Sequence, residues 1–523
     1  MASTVPHSAD ELLQLLQAKI SKIDITAGRL VLVVVAIWFV IPNVFKFLSR
    51  LVSPMQRLPG PFLNKISGLP LKISIVKGKS HIMSVDLHRK YGPIAVIAPS
   101  MISVSDPQEI KRIIHIEDWP KSEAFYGNFR QDRDRPTLMA FTDKKPYSHR
   151  KRLVSSMFGI KYIRSMQCMM RDCIKVAVRQ LYKATAKGPA KVDMQHLVQS
   201  LAVDIIGITT FGESFHVVEQ GSHPLPLRIK KALALSGLLH FLPWITSIPF
   251  MPSRDPFIDS FTADVVHKRK ALNKTLNSRA AAGEKVEEPR DLLQTLVENS
   301  TDEAGSAFRF SDIQDEAVVL LTAGSETTAN AQMFTLLQLC KNPDKMAKVQ
   351  KEVDEWYPPR TLEEKEVDCE YSLAGMTYLS HCIDEGMRLY PGQATGSPRE
   401  TATKQCVSGY SVPKGVTVFP ATQSVHLDEK VWPDAKSYVP ERWEDVHASH
   451  KTDSQVSYWP FSAGSRVCIG KNFALQEMHL TLVELLRRFE FGYVEGQDET
   501  TMYRVAQQLE ADQYLVSVKR RVF

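Results

Sequence analysis

Apolar and polar positions divide the chain into a greasy leading end and a long body of alternating helical and extended patterns. Leu12, Leu13, Leu15, Leu16 and Ile20 recur at amphipathic helical spacing. From Leu30 to Leu48 nearly every residue is apolar, close to the roughly 20 residues that a bilayer-spanning helix needs. Pro42, Asn43 and Lys46 interrupt the end of that run. A removable leader would be followed by small residues, and Pro42-Asn43-Val44-Phe45 stands there instead. The pattern therefore predicts an amphipathic lead over 1–29 and an uncleaved transmembrane anchor over 30–48. Cations flank the anchor on both sides (Lys19, Lys22 and Arg29; Arg50, Arg57 and Lys65), so charge asymmetry leaves its orientation open. Leu58-Pro59-Gly60-Pro61 is a stiff hinge within 49–61, and residues 62–523 form the body.

In the body, Ile94-Ala-Val-Ile-Ala and Met101-Ile-Ser-Val-Ser read as a hairpin around Pro99-Ser100. Residues from Trp119 to Pro136 lack periodicity and read as a loop. Residues 233–250 are strongly apolar but broken by Pro243 and Pro249, so they do not span a membrane. They either pack in the core or make a second membrane contact through Trp244 and Phe250. Residues 280–288 are a small charged linker, and Asp291 opens the next helix. Ser311 is placed to cap a helix that runs to Lys341 and stops at Asn342-Pro343. Thirty residues at 1.5 Å each make it about 45 Å long. A further helix ends at Pro391, Gly392 to Pro398 reads as a strand, and residues 501–508 form a closing turn.

Composition changes this picture little. The chain has 523 residues, 44% hydrophobic and 24% charged, enough for a large core. A formal charge of +7 is too weak to point to nucleic acid. It suits an anionic membrane surface or an acidic protein partner. Seven cysteines, odd in number and scattered, predict reduced thiols.

Chemistry concentrates in Phe461-Ser-Ala-Gly-Ser-Arg-Val-Cys-Ile-Gly. Gly464 and Gly470 permit turns and close approach that a Cβ would block. Arg466 brings a cation near Cys468, and the helix that begins after Gly470 aims its first amides back at the sulfur. A zinc site would need another close ligand, and the nearest cysteine is Cys406. A lone thiolate in a wrapped loop is how haem iron is held when O–O bonds are cleaved. In the middle of the long helix stands Ala323-Gly324-Ser325-Glu326-Thr327-Thr328. Gly and Thr cost helix stability there, which points to use: Gly324 for close approach, Thr327 for a hydroxyl turned to a carbonyl or a ligand.

Phe461, Gly464, Arg466, Cys468 and Gly470 match the haem-binding signature of the cytochromes P450, five specified positions in ten residues. The chain resembles that family over most of its length after Pro59, and the hinge resembles that of microsomal members. The resemblance implies one domain, mainly α with a minor β region, in the cytochrome P450 fold behind an N-terminal transmembrane helix. It implies haem b with Cys468 as the axial ligand of the iron. Thr327 then stabilises activated dioxygen and Glu326 delivers protons. Tyr147, with Lys151 or Arg152, bonds one haem propionate, and Arg399 pairs with the other. Glu385, Arg388 and Arg442 form a buried scaffold network. Residues around 119–136 arch over the substrate pocket, and residues 501–508 contact the substrate.

Electrons must come from outside, because no flavin or NADPH motif is visible. A separate NADPH-dependent flavoprotein reductase is implied, with cytochrome b5 as a further donor, docking near Arg150, Lys151, Arg152, Arg466 and Lys471. The expected setting is the endoplasmic reticulum membrane, with the body facing the cytosol. The expected reaction is monooxygenation of a lipophile. The sequence style resembles fungal members, which favours a steroid, terpenoid or other secondary metabolite over a fatty acid. A reductase-independent haem-thiolate isomerase or dehydratase is the alternative, and a non-enzymatic haem carrier or sensor is the more remote one.

Overall fold

A computed structural model of the chain describes Val34, Ile37 and residues 41–130, 134–221, 223–241, 255–286, 291–298, 300, 308–357, 375–448 and 457–522. The lead over 1–29 and most of the first half of the expected anchor lie outside the described residues, as do residues 242–250 with Trp244 and Phe250. Among the described residues no helix is long and apolar enough to cross a membrane. The second half of the anchor region is a helix, Ile41–Leu51, with no buried residue. Ile41, Val44, Phe45, Phe47 and Leu48 are all exposed on it. Residues 233–241, read from sequence as part of a broken apolar stretch, continue a helix that starts at Pro224.

The helices that build the site are α1 (Lys144–Val154), α2 (Met194–Ile206), α3 (Pro224–Phe241), α4 (Phe310–Lys341), α5 (Thr377–Leu389) and α6 (Lys471–Leu486). The corresponding strands are β1 (Ile94–Ala98), β2 (Met101–Val104), β3 (Arg399–Glu400), β4 (Thr417–Pro420), β5 (Thr501–Tyr503) and β6 (Gln507–Leu509). The mainly helical body with minor sheets follows the expectation.

α4 is the axis of the body. Its 32 residues span about 48 Å. It begins two residues earlier than Ser311 would place it: Arg309 is the cap, and its backbone N–H donates to Asp312 Oδ2 at 2.8 Å. A carboxylate three residues into the helix reaches back to the cap more effectively than the Ser311 hydroxyl can from inside the first turn. Glycines let neighbours close in. A Cβ at Gly324 would stand 2.5 Å from Ile206 Cδ1 of α2, and one at Gly386 of α5 would stand 2.5 Å from Thr335 Oγ1 of α4. Leu321, Leu336, Leu337, Leu339, Val483 and Leu486 are buried around these contacts, each contributing about 1.5–3 kcal/mol of burial.

The predicted hairpin is present, antiparallel with Ile94 opposite Val104, and its turn holds Ser100 at φ +65°. It extends into a four-stranded sheet, in which β2 pairs parallel with β4 and β4 pairs antiparallel with β3. Residues 392–398 form a turn rather than the expected strand. Gly396 sits at φ +74°, and a Cβ there would meet Pro420 O at 1.9 Å, so the chain reverses against β4 instead of extending beside it. A second sheet sets Leu515–Arg520 between Ala190–Asp193 and Phe489–Gly492. β5 and β6 form the closing hairpin, stitched to the start of the body. Tyr503 N–H donates to Gly78 O at 2.8 Å, and Lys79 Nζ donates to Thr501 O at 3.1 Å.

Candidate active site

Cys468 sits at the end of a tight loop. Its N–H donates to Phe461 O at 2.9 Å, and Val467 N–H donates to Gly464 O at 3.2 Å. Gly464 is at φ +71°, and a Cβ there would lie 2.2 Å from Ile114 O, so this position requires glycine. Gly470 does not: its φ of −82° is ordinary, and the nearest atom to an added Cβ is Cys468 Sγ at 3.9 Å. Gly470 instead caps α6, and the N–H groups of Gly470 and Lys471 face the sulfur. Burial pushes the thiol up from its usual range, while those amides and the ammonium groups of Lys471 and Lys151 pull it down. The accessible surface of Cys468 belongs to the wall of an internal cavity of about 430 Å³.

α4 supplies another part of the lining. Ala323, Gly324, Thr327 and Thr328 line the same cavity as Cys468. Thr327 Oγ1 donates to Ala323 O at 2.8 Å, the helix-internal bond that a polar side chain makes when no ligand claims it. Glu326 faces the other way. It lines a separate small pocket with Gln199, Val203 and Ile229, and its Oε2 accepts from Asn330 Nδ2 at 3.4 Å. Burial pushes its carboxyl up, with Lys230 opposing and Asp512 reinforcing. Lys230 Nζ donates to Gln199 Oε1 at 2.7 Å and pairs with Asp512 at the surface.

Three buried cations stand close together, and two of them, Lys121 and Arg466, line the cavity. Arg399 is fully buried, and none of its three guanidinium nitrogens has a hydrogen-bond partner. Arg466 is buried beside it, donating from Nη1 to Phe141 O at 2.8 Å and from Nη2 to Thr142 O at 2.9 Å. Lys121 is the third: its Nζ donates to Met139 O at 2.7 Å. Burial, then Arg466 and Arg399, hold its ammonium well below the usual range. None of the three has an ion-pair partner among the described residues. Unpaired buried charge costs several kcal/mol. The donor set therefore fits a bound group that brings two carboxylates to these cations and a metal to the sulfur, as haem does.

α1 places its residues by helical phase. Tyr147, Arg150 and Val154 are its buried face. Tyr147 OH and Lys151 Nζ both donate to Ser465 O, at 3.1 and 2.8 Å, and so clamp the cysteine loop; Arg152 is exposed. Arg150, expected on a docking surface, is buried with its guanidinium 4.1 Å from the Phe308 ring centroid. Arg466 is buried too. Lys151, Arg152 and Lys471 are what remain toward the outside.

Behind the cysteine loop, Glu385 and Arg388 have no exposed side-chain surface. Glu385 accepts from Arg388 Nη2 (2.8 Å), Arg388 Nε (2.9 Å), Arg442 Nε (3.0 Å), Trp443 Nε1 (3.0 Å) and Val439 N (3.0 Å). Sequence reasoning missed Trp443 and Val439 here, and Lys121 and Glu316 in the cavity wall. Lys121 lies where no periodicity guides the reading, and Glu316 lies on the expected helix but away from the segment that attracted attention.

A sulfur and a hydroxyl that line one cavity, with three buried cations close together and without an ion-pair partner among the described residues, define a class of protein that takes a dianionic porphyrin and holds its metal by thiolate. The chain belongs to the cytochrome P450 family: the family model described as Cytochrome P450 matches residues 58–516. It is 58% identical to Cytochrome P450 monooxygenase acrD of Aspergillus aculeatus, over 95% of this chain and 97% of that one. It is 56% identical to Cytochrome P450 monooxygenase LUC2 of Fusarium sp, over 95% of each chain. Against Cytochrome P450 monooxygenase FUS8 of Gibberella fujikuroi it is 54% identical over 96% of each. The protein is thus an oxidoreductase of the monooxygenase class with fungal relatives, and its family implies a haem-iron cofactor.

Proposed function

We propose that the protein inserts one atom of O2 into a C–H bond of a lipophilic secondary metabolite, a steroid or terpenoid skeleton included. Haem b, when bound, supplies the redox-active iron, and the thiolate of Cys468 supplies the electron push for O–O cleavage. Arg399, Lys121 and Arg466 bind and orient the cofactor through its carboxylates. The apolar wall excludes water around the reacting carbon. Thr327 turns its hydroxyl from Ala323 O toward the cavity and holds a proton at Oγ1. Glu326 keeps a proton in its buried carboxyl, and Lys230 with Asp512 connects that pocket to solvent.

Electrons come from NADPH through a separate flavoprotein reductase, with cytochrome b5 as a second donor; Lys151, Arg152 and Lys471 offer the cationic surface. The body sits on the cytosolic face of the endoplasmic reticulum membrane. Exposed Phe45, Leu48, Phe62, Leu63, Leu69 and Ile73 support a bilayer there.

The observation that carries this reading is that Cys468 and Thr327 line one apolar cavity. The test is turnover with a supplied reductase under isotopically labelled O2. One labelled oxygen atom in the product and consumption of NADPH are expected. Product formed without NADPH would instead identify an isomerase or dehydratase, and neither product nor NADPH use would identify a carrier or sensor.

A further inference from the structure

Glu316 is the only carboxylic acid among the described residues that line the cavity. It stands on α4 eleven positions before Thr327 (327 − 316). Eleven residues are three helical turns, so the two side chains leave the same face about 16 Å apart. Val319, Leu320 and Ala323 line the wall between them. Along α4 the cavity wall thus has Thr327 at one end and Glu316 at the other, joined by an apolar strip.

The Glu316 end is held in place from the backbone. Glu316 Oε1 accepts from Leu138 N–H at 2.8 Å, which fixes the loop over α4. No cation stands within ion-pair distance of Glu316 among the described residues. Arg150 of α1 and Asp312 and Asp315 of α4 act on it, while Arg135 and Arg309 of the flanking segments act on Arg150. Arg135 is already committed to Asp312 at 2.6 Å. Burial pushes the Glu316 carboxyl up to about 7, opposed by the Leu138 amide and Arg150. Near neutral pH it can both accept and donate.

These neighbours restrict what can dock. A ligand ammonium would meet Arg150, which already has Arg135 and Arg309 near it, and a ligand carboxylate would face Glu316 itself. A plain hydrocarbon would leave a buried acid with a missing partner, which costs about 1–3 kcal/mol. An uncharged donor is the chemistry left.

We propose that Glu316 recognises the uncharged hydrogen-bond donor, a hydroxyl or amide N–H, of an elongated lipophile whose reacting carbon lies three helical turns away beside Thr327. This deepens the monooxygenase reading and rests on it. It makes the substrate an amphiphile with its polar head remote from the site of oxidation, and it makes Glu316 a determinant of position as well as of affinity.

The test uses full-length, haem-loaded protein and two probes of equal length, dodecanol and tridecane, titrated by the Soret shift. Glu316→Leu is expected to raise the ratio of dissociation constants, dodecanol over tridecane, about ten-fold. Glu316→Gln, which keeps acceptors for both Leu138 N–H and the ligand hydroxyl, should hold the ratio within about three-fold of the starting protein. Equal weakening of both probes in Glu316→Leu would reduce Glu316 to a latch for the loop and overturn the proposal. If Glu316→Leu fails to fold, product position in the unmodified protein with a supplied reductase decides. Oxidation of dodecanol confined to the end away from its hydroxyl supports the anchor, and the same scatter as for tridecane overturns it. A reduced, carbon monoxide-treated sample with no haem-thiolate band would show separately that the underlying reading has failed.

Discussion

Gln332 and Glu477 meet at the junction of α4 and α6, with Gln332 Nε2–H donating to Glu477 Oε1 at 3.1 Å and both side chains buried. Gln332 Oε1 and Glu477 Oε2 have no partner. A proton on Glu477 Oε2 turns one of these leftover acceptors into a donor, which a buried acid favours. Burial pushes Glu477 up to about 8 from its ordinary 4.5, with Gln332 opposing. Between those values the folded chain holds a proton that the unfolded chain has released. Stability from this group is therefore complete below about 4.5 and is lost as pH rises toward about 8, at no more than about 1.4 kcal/mol per pH unit. Glu477→Gln should flatten that decline. Calorimetric Tm at pH 5 and pH 8 checks it, and an identical pH dependence in the two proteins would refute it.

The five bonds to Glu385 predict unequal costs around one carboxylate. Glu385→Ala leaves Arg388 buried and unpaired and should cost about 3–5 kcal/mol, seen as loss of haem retention and a lowered midpoint in denaturant. Arg442 is partly exposed and makes one of the five bonds, so Arg442→Ala should cost markedly less. Equal losses would mean that the network is not organised around Glu385.

Thr327 donates to one backbone carbonyl of its own helix, so Thr327→Ala should change stability by about 1 kcal/mol or less. Its expected effect is on coupling. NADPH should still be consumed while peroxide rises and product falls. Peroxide and product measured per NADPH decide the point, and unchanged coupling would take Thr327 out of the reaction.

Adjacent cations on α1 should behave in opposite ways. Lys151→Glu and Lys471→Glu should slow reduction by the reductase, with the slowing diminished at high salt. Arg150→Glu should instead reduce the yield of folded protein, because it buries a new charge beside Glu316 and Asp312. Stopped-flow reduction across ionic strengths and thermal unfolding separate the two effects. A folded Arg150→Glu protein with slowed reduction would put Arg150 back on the docking surface.

What could be read from the chain alone depended on how local the cause was. The cysteine loop and the centre of α4 carry their chemistry in contiguous residues, and Glu385 and Arg388 share a helix face three positions apart. Lys121 was invisible because its neighbourhood is made by tertiary pairing: it bridges to Arg399 across the end of the four-stranded sheet. Arg150, Lys151 and Arg152 look alike as a basic run. Only the phase set by Tyr147 and Val154 sends the first inward. Glu326 and Thr327 are neighbours in sequence, yet about 100° of helical turn puts them in different pockets. Gly396 made a turn of an apparent strand because of Pro420, more than twenty positions later.

β5 and its hairpin tie part of the cavity lining to Gly78 and Lys79, more than four hundred positions earlier in the chain. A ribosome must therefore make more than four hundred residues beyond Lys79 before these two segments can join. A premature stop just upstream of position 501 would spare the sulfur loop and the long helix. It would still produce an open vessel, greasy inside, for cellular quality control to remove.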